Sequence, residues 1–251
     1  MNRRDMLRVS ASAIAGAAVL GPEAFAKTDS AEMTGSRKVL VIGGHPDDPE
    51  TACGGTMAIL RDKGYDVVAV YLTRGESGVK GKTHEEAAAI RSEEAKNACR
   101  VLGVRPVFLN QIDGYTELDV ERYKEMRDFI EQENPDIVFT HWPVDLHRDH
   151  RVCSNLVLES WKRLKYKFDL YFFETMTGGQ TQLFHPTDYV DITSVADKKF
   201  EACMCHSSQG MENVYGNWHH QMEQFRGIEF HCKRAEAFVH LRRSDSDIFK
   251  L

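Results

Sequence analysis

Short apolar runs recur through this chain, each followed by a stretch of helical periodicity. That alternation restricts the fold more than any other feature. Residues 39–42, 67–72, 107–109 and 137–140 are uncharged runs of strand length. A helix is expected over 52–63. Thr83-His84-Glu85-Glu86 forms a capping box. It opens a helix with Ala88, Ala95, Cys99 and Leu102 on one face and Gly103 at its C-terminal cap. Asp119 can cap a helix with Val120, Tyr123, Met126 and Ile130 inward, ended by Asn134-Pro135. A helix over about 148–164 and a fifth strand over 170–173 complete the pattern. Repeated strand–helix–strand units imply right-handed crossovers and an α/β, Rossmann-like fold: a mostly parallel sheet with helices on both faces. In the last third, 188–192 reads as a short strand. Residues 195–206, with Ala196, Phe200 and Cys203 on one face, and 218–238 read as a helical C-terminal segment that walls the site.

In such sheets, sites lie beyond the carboxyl ends of the strands. The first strand runs into His45-Pro46-Asp47-Asp48-Pro49-Glu50, and the fourth into His141 and His147-Arg148-Asp149-His150. Both clusters therefore open on one edge. Together they supply mixed nitrogen and oxygen ligands suited to zinc or a similar first-row ion. No G-x-G-x-x-G follows Gly43-Gly44, which argues against a dinucleotide cofactor. A plainer reading makes Asp48-Pro49 a helix cap and first-turn proline, with Asp47 solvated. The second histidine cluster on the same edge weighs against it. His141 reads as a supporting or core residue. Arg74, at the end of the second strand, is a candidate for bidentate contact with a substrate oxygen, or else a surface partner of Glu76. Trp142 suits a sugar face or the core equally. The remaining histidines, His84, His185, His206, His219, His220, His231 and His240, read as ordinary.

The N-terminus carries an export signature. Arg3-Arg4 precedes an uncharged Ala-rich stretch over 11–20, and Ala24-Phe25-Ala26 matches an A-x-A cleavage site. The stretch is shorter than the ~20 residues a membrane span needs. No cysteine follows it to take a lipid anchor. Residues 1–26 are expected to be a Tat-type signal, and 27–251 one domain. The leader holds three Arg and two acidic residues, so its loss takes the formal charge from −6 to −7. That balance argues against nucleic acid as a partner. No later segment is apolar enough to span a bilayer. The six cysteines, at 53, 99, 153, 203, 205 and 232, match no disulfide framework. Mostly free thiols are expected, since the Tat route carries proteins folded in a reducing compartment. Cys205-His206 lacks the second pair that a zinc site needs.

Taken together, these stretches resemble the PIG-L/LmbE-like superfamily of zinc-dependent N-acetylglucosaminyl deacetylases. The resemblance rests on His45-Pro46-Asp47-Asp48-x-Glu50, Gly54-Gly55-Thr56, Leu72-Thr73-Arg74-Gly75-Glu76, Arg91-Ser92-Glu93-Glu94, Leu102-Gly103-Val104, Pro135-Asp136-Ile137-Val138, His147-x-x-His150-Arg151 and Ala235-Glu236-Ala237-Phe238. It implies that His45, Asp48 and His150 hold one zinc ion. It makes Asp47 the general base toward the attacking water. Neighbouring side chains diverge, so Asp47 and Asp48 do not comfortably share an ion. It gives His147 the task of stabilising the oxyanion, best done as imidazolium. Glu50 and Arg91 recur in the pattern as residues that brace loops.

Pro49 departs from the pattern in a way that stiffens the turn without removing a ligand. The leader is the larger departure, and points to a periplasmic or extracytoplasmic substrate. The expected function is removal of an N-acetyl group from an N-acetylglucosamine-containing small molecule or glycan. The alternatives are zinc hydrolysis of a non-sugar amide and a non-catalytic, metal-holding glycan-binding protein. A free carboxylate beside the metal has no use in the last.

Overall fold

A computed structural model describes residues 37–242; the expected leader at 1–26 lies outside them. Seven strands form one sheet in the order β3-β2-β1-β4-β5-β7-β6. The strands β1 Lys38–Gly43, β2 Asp66–Tyr71, β3 Arg105–Phe108, β4 Ile137–His141 and β5 Asp169–Phe173 are parallel. The strand β7 Ala235–His240 runs antiparallel to β5 and to β6 Asp188–Asp191. Val39, Leu40, Val41 and Ile42 of the central β1 are fully buried, which explains the unbroken apolar run in place of alternation.

The helices α1 Asp48–Asp62, α2 His84–Leu102 and α5 Ala196–Met204 cover one face. The opposite face is covered by α3 Val120–Glu133 and α4 Arg148–Arg163. Local chemistry sets their ends. Thr83 and Glu86 close the capping box, Gly103 ends α2 at φ 74°, and Asp119 caps α3 by accepting from Arg122 N–H. After α5 come α6 Met211–Val214, a π-helical turn Tyr215–His219, and α7 His220–Glu229. Among the described residues no helix is long and apolar enough to cross a membrane. All six cysteines are free, and four are buried.

Three expectations need correction. The helix expected over 218–238 ends at Glu229, and Ala235–His240 is a strand. Inserted between two strands, it is buried on both faces over Ala235 to Phe238 and lacks the alternation that marks an exposed strand. Val120, in the first turn of α3, is 87% exposed instead of facing inward. On α5, Phe200 is half-exposed against Tyr215, and Lys199, Ala202 and Cys203 take the buried face.

Candidate active site

The sheet order changes direction between β1 and β4, and the crevice beyond their carboxyl ends collects both histidine clusters. After β1 the chain turns at Gly44 and enters α1 at Asp48. A Cβ on Gly44 would lie 3.1 Å from His150 Cδ2, so glycine lets the two loops close on each other. Helix α1 starts earlier than expected, with Pro49 in its first turn. Asp47 is its N-cap residue, yet its side chain caps nothing, and its backbone sits at φ 114°. Left-handed backbone at a non-glycine residue is costly and concentrates at functional sites.

His45, Asp48 and His150 meet. His45 Nδ1 is 3.3 Å from Asp48 Oδ2, His150 Nε2 is 3.3 Å from Asp48 Oδ1, and the two ring nitrogens are 3.3 Å apart. Donors on a tetrahedral ion with bonds of ~2.0–2.1 Å stand about 3.3 Å from one another, so the spacing fits a divalent metal. The remote ring nitrogens face carboxylates. His45 Nε2 is 3.2 Å from both Asp113 Oδ1 and Asp149 Oδ2, and His150 Nδ1 is 3.2 Å from Asp145 Oδ1. Such partners hold the proton on the far nitrogen and leave the near lone pair for an ion. Asp149 is itself fixed by the Gly114 N–H at 2.7 Å and the Thr116 hydroxyl at 2.6 Å.

The electrostatics suit a cation. Burial opposes charge on His45, but Asp113, Asp149 and Asp48 outweigh it and hold its pKa well above the ordinary value. His150 behaves alike: burial lowers it, Asp48 and Asp145 prevail, and its pKa rises to about 9. For Asp48, burial is outweighed by His150 and His141, which hold the carboxyl well below its usual range. Asp145 falls to about 2, burial being overcome by His150. His141 is different. Burial and the charge on His150 lower it to about 4, and its Nε2 sits 3.1 Å from Gly44 N–H and from Asp48 Oδ2. It steadies the Asp48 turn, as a supporting residue should.

Asp47 stands beside this group, 21% of its side chain exposed, with Oδ2 at 2.9 Å from Arg91 Nη2. Burial raises its pKa, Arg91 opposes, and Asp48 adds to the rise. Arg91 also donates to the Pro46 carbonyl. Its guanidinium passes beneath two glycines: a Cβ on Gly75 or Gly78 would sit 2.6 Å from Nη1.

His147 caps α4, and its Nδ1 accepts the Asp149 N–H at 3.2 Å. Its ring lies 4.7 Å from those of His45 and His150. Burial and the charges on His45 and His150 lower its pKa. With Nδ1 accepting the Asp149 N–H, a neutral ring would carry its proton on Nε2, an alternative to the expected imidazolium.

Arg74, expected at the substrate, stands apart from this group. It does not line the cavity that holds these groups. The chain turns at Gly75, whose φ is 71°. Glu76 is drawn inward to accept from the Arg74 and Asp113 N–H groups, and the Arg74 side chain stays 54% exposed, 3.5 Å from Glu76. Trp142 packs on Phe172 and Phe184 and donates to the Gln182 carbonyl.

The cavity is about 510 Å³, and its lining adds residues that sequence reasoning passed over: Arg91 as a site residue, Asp113, Gln180, Trp218 and His219. Asp113 follows β3 on the same sheet edge, so the rule that found the histidines also points to it. Trp218 and His219 open the stretch expected to be helical and to wall the site, and the structure places them in a π-helical turn. His206, passed over as ordinary, is fully buried behind Asp47, 3.6 Å from Glu50, whose carboxylate also accepts from the Tyr71 hydroxyl.

Residues 40–161 match the family described as GlcNAc-PI de-N-acetylase, PIG-L. The chain is 34% identical over 197 residues to diacetylchitobiose deacetylase of Thermococcus kodakarensis, covering 72% of this chain and 73% of that protein. This chain belongs to the PIG-L family. The solved N,N'-diacetylchitobiose deacetylase of Pyrococcus horikoshii superposes with a TM-score of 0.72 at 28% identity, over 82% of this chain and 84% of that one. This PIG-L protein is a hydrolytic deacetylase. It is also similar to 4-oxalmesaconate hydratase of Pseudomonas putida, 27% identical over 195 residues, covering 70% of this chain and 75% of that protein.

Proposed function

We propose that this protein removes the acetyl group from an N-acetylglucosamine unit of a small glycan or glycoconjugate, using zinc held by His45, Asp48 and His150. The observation that carries the reading is that His45 Nδ1 and His150 Nε2 lie 3.3 Å from each other and each 3.3 Å from one oxygen of Asp48, with the Asp47 carboxylate beside them and bound to Arg91. Zinc held by these residues would supply Lewis acidity toward water and the acyl oxygen. Asp47 takes the proton of the attacking water and returns it to the departing amine. His147 turns its Nε2–H toward the oxygen that gains charge. Arg91 keeps the Asp47 carboxylate in place.

The hydratase relative raises a second reading, a substrate with carboxylate groups. The cavity disfavours it. Its lining offers one Lys or Arg side chain, Arg91, and that group is taken by Asp47 and Pro46. Hydroxyl, amide and aromatic groups make up much of the remainder, which suits a neutral sugar.

The test is a panel of N-acetylated amino sugars and chito-oligosaccharides assayed for released acetate, with and without chelator. Acetate release that chelator stops and zinc restores supports the reading. Turnover confined to non-sugar amides would overturn it. The leader adds a location to the proposal: export by the twin-arginine route. Changing Arg3 and Arg4 to Lys should leave the precursor in the cytoplasm, and unchanged export would exclude that route.

A further inference from the structure

Trp218 and His219 are consecutive residues of the π-helical turn, and both line the cavity that holds the metal donors. Such turns are rare and concentrate at functional sites, because the extra residue pushes side chains out of the helical ladder. This one is anchored from beneath. The buried Tyr215 donates to Glu223 Oε1 at 2.7 Å. Glu223 lies 3.0 Å from the ammonium of Lys199, which is fully buried and also meets Glu236 at 2.8 Å. The turn thus presents Trp218 and His219 from a fixed base.

The two side chains offer complementary chemistry. Trp218 is 51% exposed, so much of its indole is open. His219 is buried; its ring bonds the Met176 backbone, and Nδ1 has no hydrogen-bond partner. Burial first, then the charge on Lys199, depress its pKa to about 4, so the ring is neutral near pH 7. A neutral imidazole keeps one nitrogen as an acceptor, and Nδ1 is the one without a partner. A buried acceptor left empty is unfavourable, and a hydroxyl hydrogen would fill it. An open indole beside an acceptor, in a cavity whose single arginine is already bound, fits a neutral polyol ring with one apolar face.

We infer that Trp218 and His219 form the sugar-ring subsite: the indole packs on the C–H face of a pyranose, and His219 Nδ1 accepts a hydrogen bond from one ring hydroxyl. The inference rests on the deacetylase reading above. It specifies that the enzyme recognises the ring itself, not only the acyl group.

The test uses zinc-loaded enzyme, N-acetylglucosamine, and its analogues with fluorine replacing a single ring hydroxyl. Fluorine cannot donate a hydrogen bond. Binding is read by tryptophan fluorescence. Wild type should bind one fluoro analogue about 10- to 100-fold more weakly than the parent sugar. His219→Leu should bind parent and that analogue equally, both at the weaker level. His219→Asn, which sets an amide oxygen near the Nδ1 position, should restore most of the difference. Trp218→Ala, at a half-exposed position, should raise KM at least tenfold while kcat changes little. Wild-type affinity in both His219→Leu and Trp218→Ala, or equal binding of all fluoro analogues by wild type, would overturn the subsite. Sugar binding that needs both residues, but no acetate release, would support the subsite and overturn the deacetylation reading instead.

Discussion

Arg91 Nη2 lies 2.9 Å from Asp47 Oδ2 while the same nitrogen donates to the Pro46 carbonyl, so α2 grips the strained turn that opens α1. The pair joins two segments forty-four residues apart and sets both the place and the acidity of the carboxylate. Burial raises the Asp47 pKa, and Arg91 is the chief group opposing that rise. In Arg91→Met, Asp47 should become a weaker acid still. The acid limb of the pH–rate profile should move to higher pH, and kcat should fall about 10- to 100-fold through lost positioning. A profile that keeps its acid limb in place would separate Arg91 from the base.

His147 should act as a neutral donor. His147→Ala should lower kcat by about 10²- to 10³-fold, the usual worth of one oxyanion donor. Metal content should stay unchanged, because its Nδ1 is held by the Asp149 N–H. His147→Gln, with an amide N–H reaching where Nε2–H lies, should recover part of the loss and keep the wild-type pH profile. Disappearance of an alkaline limb in His147→Gln would show that an imidazolium acts after all.

Arg74→Ala should leave kcat/KM within about twofold. Its side chain is half-exposed and pairs with Glu76 outside the cavity, and exposed pairs are worth little. A tenfold rise in KM would return Arg74 to the substrate site.

Much of this site was legible because it follows from sheet geometry. Two loops after parallel strands must share an edge, so His45 and Asp48 meet His150 although it lies about a hundred residues further along the chain. Capping chemistry likewise marked both ends of α2 at Thr83 and Gly103. The carboxylates behind the imidazoles were in plain view at Asp145 and Asp149, but spacing does not tell which ring nitrogen each one faces. Arg74 and Arg91 show the limit. Arg74 follows β2 at the site edge, whereas Arg91 lies in the middle of α2 and reaches the site by passing beneath Gly75 and Gly78. Trp218 and His219 opened a stretch read as helical, but helical period does not tell which of its side chains a π turn aims into the cavity. The strand β7 was hidden because an inserted, fully buried strand has no alternation to read.

Acid should destabilise the protein through His219. Its folded pKa is about 4, against 6.5 ordinarily, with burial the main cause. Above about pH 6.5 neither folded nor unfolded chain holds that proton, and the residue contributes nothing. As pH falls toward 4 the unfolded chain takes up a proton that the folded one refuses, so stability drops. The full loss is about 3 kcal/mol, and about 2 kcal/mol of it is present by pH 5. Urea unfolding at pH 7.5 and pH 5 should show wild type losing that much more than His219→Asn. Parallel losses in the two proteins would mean that His219 accepts a proton in the folded state.

The division between metal ligand and base is decided most directly by measuring zinc content and acetate release on the same sample of Asp47→Asn, with His150→Ala beside it. Asparagine keeps the size of Asp47 but cannot take a proton. Asp47→Asn should hold wild-type zinc while acetate release falls about 10²- to 10⁴-fold, the usual contribution of a general base. His150→Ala, which breaks the 3.3 Å triad, should lose zinc and activity together. Asp47→Asn that arrives without zinc, or that holds zinc and releases acetate at the wild-type rate, would contradict the account.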